Sequence, residues 1–372
     1  MSEKGNAFFT IGILSLILFI FITADFFNVD RVYSETEMRL LSEKPDYDWE
    51  SMLSGEYAGE YEDYITDQFP GRDKLVKIKM RTDILSGRKE IDGVYIGEDG
   101  YLIEKHSPEA YTTELENEKL ALLDGLVEEW NAKIMLVPTA DNILSDKMPA
   151  YAQYYDEEAF LERVKERVGE HNYIDVYSVL SEHSDEEIYY RTDHHWTTLG
   201  AYYGYQAWTQ GTSSFKFPYD IENMTTVSND FQGTMYSKLP VVSTVDEIKI
   251  FPATAFREVS VMYDLEETTD TLYEDSYLQG KNQYGYFLDD NHAFTKIETD
   301  YHNGRTLFVI KDSYADSFIP LLQPHYETIY AVDLRYYNGL LFKLMDECEP
   351  RGGMDVLVLY NCAEFLESFE YY

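Results

Sequence analysis

Arg191 to Trp196 reads RTDHHW and gathers one carboxylic acid, two imidazoles and an indole in six residues. Far downstream, Lys311 to Tyr314 reads KDSY and offers a serine. Aspartate, histidine and serine are the parts of acyl transfer through a hydroxyl nucleophile. Serine is weak at its own pKa, so an imidazole must take its proton, and a carboxylate must fix the tautomer of that imidazole and stabilise its charged form. The residues assigned to those roles are Ser313 as nucleophile, His195 as base and Asp193 as the orienting acid. On extended backbone Asp193 and His195 face one way and His194 the other, which makes His194 a supporting residue. Two other readings stay open for the cluster: a hydrogen-bonding turn of purely structural purpose, and a metal site. A metal would need a third ligand from His292, His302 or His325, and no H-x-x-x-H or H-E-x-x-H spacing occurs. No metal or other cofactor is therefore expected.

These residues need a frame that brings them together. From about Glu114 the pattern alternates helix and strand. Leu115 to Asn131 carries Leu120, Leu123, Leu126, Val127 and Trp130 on one helical face, and KIMLVPT reads as a buried strand. Glu157 to Val168 and Gly200 to Trp208 read as helices, and YIDVYSVL as a short strand. The rhythm returns with TLFVIKDS, a helix over Ala315 to Leu322, the strand ETIYAVDLRYY, a helix over Gly339 to Met345 and the strand DVLVLYN. Such alternation predicts an α/β fold with a mostly parallel sheet covered by helices on both faces. Ligands bind such sheets outside the carboxyl ends of the strands. Ser313 falls there, three residues after the apolar run Leu307 to Ile310 ends, where the amides of Ser313 and Tyr314 could face an oxyanion. Thr139, Arg335 and Asn361 end strands on the same edge. Arg335 is a candidate for polarising an acyl oxygen, with an ion pair to Asp333 as the competing use. For Trp196 core packing is the expected use, with sugar stacking in a substrate site as the alternative.

Before this domain, Asp30 to Tyr57 reads as a polar tether. Gly59 to Lys89 reads as two helices joined at DQFPGRD, and GVYIGEDGYLIE as a β-hairpin around an EDG turn. A β-rich antiparallel insertion is expected over about 210–303, chiefly Asn229 to Tyr301. The domain division is thus 1–29, 30–113 and 114–372.

Gly5 to Ala24 is uncharged and strongly apolar over 20 residues, enough to span a bilayer core. A signal peptide is the rival, but the exit ITADFFNVD offers no small-x-small cleavage site. A single-pass anchor with an extracytoplasmic body is the expectation. The net charge of -39 argues against a nucleic-acid partner, whose phosphates recruit cations, and against docking on anionic lipid. An acidic, soluble surface explains it. Two cysteines, Cys348 and Cys362, are too few for a disulfide framework or a zinc site.

RTDHHWTTLGAYYGYQAW, DQFPGRD, GVYIGEDGYLIE, VPT, DFQGTMYSK and VIKDSYADSFIPLL, in this order, resemble the bacterial DHHW family. That family is similar to the SGNH-hydrolase-like alginate O-acetyltransferases, whose D-x-H motif and later serine act on a flavodoxin-like sheet. The resemblance places D-x-H on Asp193 and His195 and the serine on Ser313, with Lys311-Asp312 before it where SGNH enzymes have Gly-Asp. It implies an O-acetyltransferase or acetylesterase acting on a cell-surface or secreted polysaccharide, with a membrane partner that delivers acetyl groups. The alternative is a catalytically silent surface protein that binds glycan or organises an envelope assembly.

Overall fold

The structure is a computed structural model, and it describes residues 3–34, 37, 39–252 and 258–371. Residues 253–257, inside the expected insertion, lie outside that description. The chain separates into two compact units, Met1–Arg88 with Ser237–Val241, and Lys89–Tyr236 with Val242–Tyr372.

The first unit begins with α1 (Glu3–Phe26), whose segment Phe8–Phe26 is long and apolar enough to cross a membrane. The next stretch is more ordered than a tether. A short hairpin, β1 (Tyr33–Ser34) and β2 (Arg39–Leu40), is followed by α2 (Trp49–Ser54), which Asp48 caps by accepting from the amides of Glu50 and Ser51. The helices α3 (Glu56–Gln68) and α4 (Arg72–Leu85) flank the Phe69-Pro70-Gly71 turn. Gly71 adopts φ 76°, a left-handed conformation that glycine reaches without strain.

The second unit opens with a small antiparallel sheet of β3 (Glu90–Ile91), β4 (Val94–Ile96) and β5 (Leu102–Glu104). Then come α5 (Thr113–Trp130), β6 (Lys133–Val137), α6 (Ala140–Ile143), α7 (Glu157–Val168), α8 (Val176–Glu182) and α9 (Thr198–Gly211). The middle of the chain supplies β7 (Thr225–Phe231), α10 (Thr234–Lys238), β8 (Asp246–Ile250), β9 (Val259–Tyr263), β10 (Glu267–Thr269) and β11 (Phe294–Thr299). It ends with β12 (Thr306–Lys311), β13 (Thr328–Asp333), α11 (Leu341–Cys348), β14 (Asp355–Asn361) and α12 (Cys362–Ser368).

Seven strands form one mixed sheet in the order β10-β9-β11-β13-β12-β14-β6. The four strands β6, β14, β12 and β13 are parallel, whereas β11, β9 and β10 continue the sheet antiparallel. The fold is thus mixed α/β, and the expected insertion is only partly a separate lobe. β7 and β8 pair apart from the main sheet, but β11 pairs with β13 and extends it. The parallel strands bury both faces by alternation. Leu307, Val309, Leu357 and Leu359 meet α8 and α9 residues such as Leu180, Ala201 and Trp208. Phe308, Ile310, Val356 and Val358 meet Leu123 of α5, Phe160 of α7, Met345 of α11 and Phe365 of α12.

Two local expectations are corrected. YIDVYSVL forms one isolated bridge at Tyr173 and then α8, because Asp175 accepts from the Ser178 amide at 3.0 Å and starts a helix. Residues after Ser313 form two 3-10 segments, Ser313–Ser317 and Ile319–His325, instead of an α-helix. Pro320 and Pro324 lack the amide protons a regular helix needs there. Cys348 and Cys362 are free thiols.

Candidate active site

The parallel register aligns Lys311 with Asp333 and Leu359, and Asn361 with Val137, so the ends of four strands share one edge. Ser313 sits on that edge, 7% exposed. Its turn is held by Asp312, which is fully buried and accepts from the Tyr314 amide at 2.9 Å, the Asn361 amide at 2.7 Å and Asn361 Nδ2 at 2.8 Å. Burial raises the pKa of this carboxyl, and Arg335 with the bonds from Asn361 and Tyr314 oppose the rise. All three of these bonds are donated to Asp312, which suits the ionised form.

The D-x-H segment arrives in the crossing before α9. Asp193 Oδ1 accepts from the His195 amide at 3.0 Å, a two-residue Asx turn, and lies 2.6 Å from His195 Nδ1. On the other side of the imidazole, His195 Nε2 lies 2.8 Å from Ser313 Oγ. The three side chains therefore form one series across 118 residues of sequence. Asp193 Oδ2 is fixed in turn by the Thr234 amide at 2.8 Å and Thr234 Oγ1 at 3.0 Å. His194 Nδ1 meets the same hydroxyl at 2.7 Å. Gly233 stands so close that a Cβ there would lie 2.1 Å from Asp193 Oδ2.

Burial pushes His195 down to about 4, His194 adds to the shift, and Asp193 opposes it. The imidazole is thus neutral near pH 7, its Nε2 lone pair free to accept the serine proton. Burial alone would raise Asp193, but His195, His194 and the bonds from His195 and Thr234 outweigh it and hold this carboxyl well below the usual range. The Tyr284 ring stacks on the His195 ring at 3.6 Å and 6°. Its hydroxyl donates to the Ser313 carbonyl at 3.0 Å and lies 3.3 Å from Ser317 Oγ. Below the serine, Lys311 Nζ lies 2.6 Å from Asp316 and 3.8 Å from Asp333, and Asp333 also holds Arg335. Two cations and two carboxylates compensate one another in the interior.

Arg335 bonds Asp333 through Nε at 2.9 Å and a terminal nitrogen at 2.6 Å, and also reaches Asn291. The ion pair is the use the structure gives it. Trp196 and Tyr314 are fully buried, so Trp196 takes its core-packing use and neither ring offers a face to a substrate. Trp196 donates to the Tyr314 carbonyl at 2.8 Å and packs where a Cβ on Gly204 would come within 2.7 Å of its ring. The Tyr314 amide is spent on Asp312, so it is not available to an oxyanion. Thr139 belongs to a separate buried cluster with Asp141, Glu157 and His106. The FQGT turn at Phe231 to Thr234, which the sequence offers either as a lining of the site or as a plain turn, touches Asp193 through Thr234, whereas nothing marked Tyr284 among 34 tyrosines.

Among the described residues, Asp193, His194 and His195 bring ligand atoms within 4.8 Å of one another, a spacing a metal ion could use. Four donors already fill the Asp193 carboxylate: the His195 amide, His195 Nδ1, and the Thr234 amide and hydroxyl. The donor set therefore fits a hydrogen-bonded series better than an ion.

Fold and site together define a mixed α/β protein that holds a serine, a neutral imidazole and an ionised carboxylate in line at the carboxyl edge of its parallel strands. The chain belongs to the DHHW family, whose model, described as DHHW protein, matches residues 99–332. Among solved structures, a DHHW family protein from Eubacterium siraeum is 22% identical with a TM-score of 0.61, covering 76% of this chain and 97% of its own. Bacillus cereus PatB1, solved with a sulfonyl adduct, is 18% identical with a TM-score of 0.57, covering 73% and 98%. The O-acetyltransferase domain of Pseudomonas putida AlgJ is 14% identical with a TM-score of 0.42, covering 75% and 95%. No curated protein matches the chain.

Proposed function

We propose that this chain is a membrane-anchored, extracytoplasmic O-acetyltransferase or acetylesterase of a cell-surface or secreted polysaccharide. Ser313 is the nucleophile, His195 the base and Asp193 its orienting acid, on the SGNH-type half of the sheet. The observation that carries the reading is the unbroken series from Ser313 Oγ through both nitrogens of His195 to Asp193, at 2.8 and 2.6 Å. Those distances lie within the reach a nucleophile and its base require. Membership of the DHHW family and the motif likeness to alginate O-acetyltransferases support the acetyl group and the polysaccharide. The apolar helix α1 supports the anchor.

In the proposed reaction Ser313 Oγ attacks the carbonyl carbon of an acetyl donor as its proton passes to His195 Nε2. The tetrahedral oxyanion collapses, and His195 returns the proton to the departing group of the donor, leaving acetyl-Ser313. An acceptor hydroxyl then gives its proton to His195 and takes the acetyl group, which regenerates the serine. A sugar hydroxyl as acceptor gives transfer, and water gives hydrolysis. Of the two amides expected at the oxyanion, that of Ser313 remains.

The full chain and its Ser313→Ala form are given a chromogenic acetyl ester, with mass analysis of the Ser313 peptide. Turnover with acetylated Ser313 in the wild type, and loss of both in the variant, is the expected outcome. Equal rates in the two proteins would sink the assignment and favour the silent glycan-binding protein.

A further inference from the structure

Helix α4 stands apart in this acidic chain. Its sequence RDKLVKIKMRTDIL carries five cations against two carboxylates, whereas the whole chain has 30 basic and 69 acidic residues. Its apolar residues divide between two sides. Met80 is buried, with Val76 and Ile84 half-buried beside it. Leu75, Ile78 and Leu85 are exposed at 47, 59 and 87%. At 3.6 residues per turn these three fall within about 80° of one another on the outer face. Lys74, Lys77 and Arg81 border that stripe on one side and Lys79 on the other. Lys74, Lys77 and Arg81 make no ion pair among the described residues, although carboxylates are abundant.

The start of α4 is also tied to α1. The Phe69 ring, three residues before α4, packs on Phe21 with centroids 4.9 Å apart. Asn28 Nδ2 donates to the Gln68 carbonyl at 2.7 Å, and the Arg31 amide donates to Gln68 Oε1 at 2.9 Å. Phe21 lies five residues inside the end of α1 at Phe26, which is about 7.5 Å of helix. Amphipathic helices that rest on membranes sink their apolar face about 5–10 Å.

We propose that α4 lies on the surface of the membrane that holds α1, with Leu75, Ile78 and Leu85 in the headgroup layer and its free cations on anionic lipid headgroups. The proposal rests on the reading of α1 as an anchor. An exposed apolar stripe edged by cations is the form of an interfacial helix, and the Phe21–Phe69 contact sets its start at headgroup depth. It reverses, for this one segment, the expectation drawn from net charge, because the charge is unevenly distributed along the chain.

The test uses the full chain in nanodiscs of zwitterionic lipid or of lipid with an anionic fraction. A Cys348→Ser background leaves only buried Cys362, and an environment-sensitive NBD probe is attached through Ile78→Cys, Leu14→Cys or Glu166→Cys. The Leu14→Cys probe is expected in lipid in both discs and the Glu166→Cys probe in neither. The Ile78→Cys probe is expected to shift to the blue and to be quenched by doxyl lipid, more strongly in anionic discs. Adding Lys74→Glu, Lys77→Glu and Arg81→Glu should return it to the aqueous wavelength with the Leu14→Cys signal unchanged. An Ile78→Cys probe that stays aqueous in anionic discs while Leu14→Cys is in lipid overturns the surface proposal and leaves the anchor standing. If the Leu14→Cys probe is aqueous as well, both fail. A blue shift that is indifferent to anionic lipid and to charge reversal overturns the role of the cations.

Discussion

Gly233→Ala tests the site through a residue that carries no reactive group. Its backbone is outside the left-handed region, so the effect is steric alone. The added carbon would stand 2.1 Å from Asp193 Oδ2, 2.4 Å from its Cβ and 2.6 Å from its Cγ, where ordinary contact begins at 3.4 Å. About 1.3 Å must therefore be found between the FQGT turn and the carboxylate. Any retreat of Asp193 stretches the 2.6 Å bond to His195 Nδ1 and loosens the two bonds from Thr234. A displacement of about 1 Å costs catalysis roughly 10²-fold, and full loss of the orienting acid costs about 10⁴-fold. The expected kcat on an acetyl ester lies between those losses, with KM little changed and the circular-dichroism spectrum retained. The downfield proton resonance of a short Nδ1–H bond should vanish with it. A folded Gly233→Ala protein with wild-type kcat would refute the reasoning, because the acid would then be dispensable or placed elsewhere.

Because burial and His194 push His195 down to about 4, kcat/KM should stay level as pH falls through the ordinary imidazole range near 6.5, and decline only on approach to about 4. A decline centred near 6.5 would show an exposed base. Tyr284→Leu removes the ring stacked under that imidazole and should lower the apparent pKa further, by about half a unit, with a fall in kcat. Tyr284→Phe should keep the pH profile and lose the hydroxyl's bonds to the Ser313 carbonyl and Ser317 Oγ. Equal profiles for the Leu and Phe forms would count against the stack. Lys311→Met leaves Asp316 without its buried cation, while Asp333 keeps Arg335, and should cost about 3–5 kcal/mol in denaturant unfolding. A loss below about 1 kcal/mol would mean that the carboxylates take up protons at little cost.

What could be read from the sequence was local. Asp193 and His195 are two residues apart, and their mutual bond is a turn that short spacing specifies. Ser313 follows an uninterrupted apolar run, so its place at a strand end was visible. Trp196 packs in the core as expected, but its seat on Gly200 and Gly204 was not read from the sequence. The features that escaped reading depend on distant segments. The FQGT turn was visible, but not that Thr234 would bond Asp193 across 41 residues, and Tyr284 lies 29 residues from Ser313. Both are ordinary types until the chain folds. The identity of α8 turned on one capping aspartate, Asp175, in a stretch whose apolar residues suit strand and helix alike. The antiparallel half of the sheet was legible as β-type runs, but its pairing with β13 was not, because edge pairing leaves no periodic mark of its partner.

The dependence of Asp312 on Asn361 has a temporal consequence. The serine lies upstream of β14, yet the turn presenting it is tied to that strand, 49 residues beyond Asp312. A growing polypeptide that has reached only Tyr314 still lacks the two Asn361 donors to Asp312. The turn presenting the reactive alcohol is therefore completed only after β14 has been made, and a chain cut before Asn361 leaves Asp312 without two of its three donors.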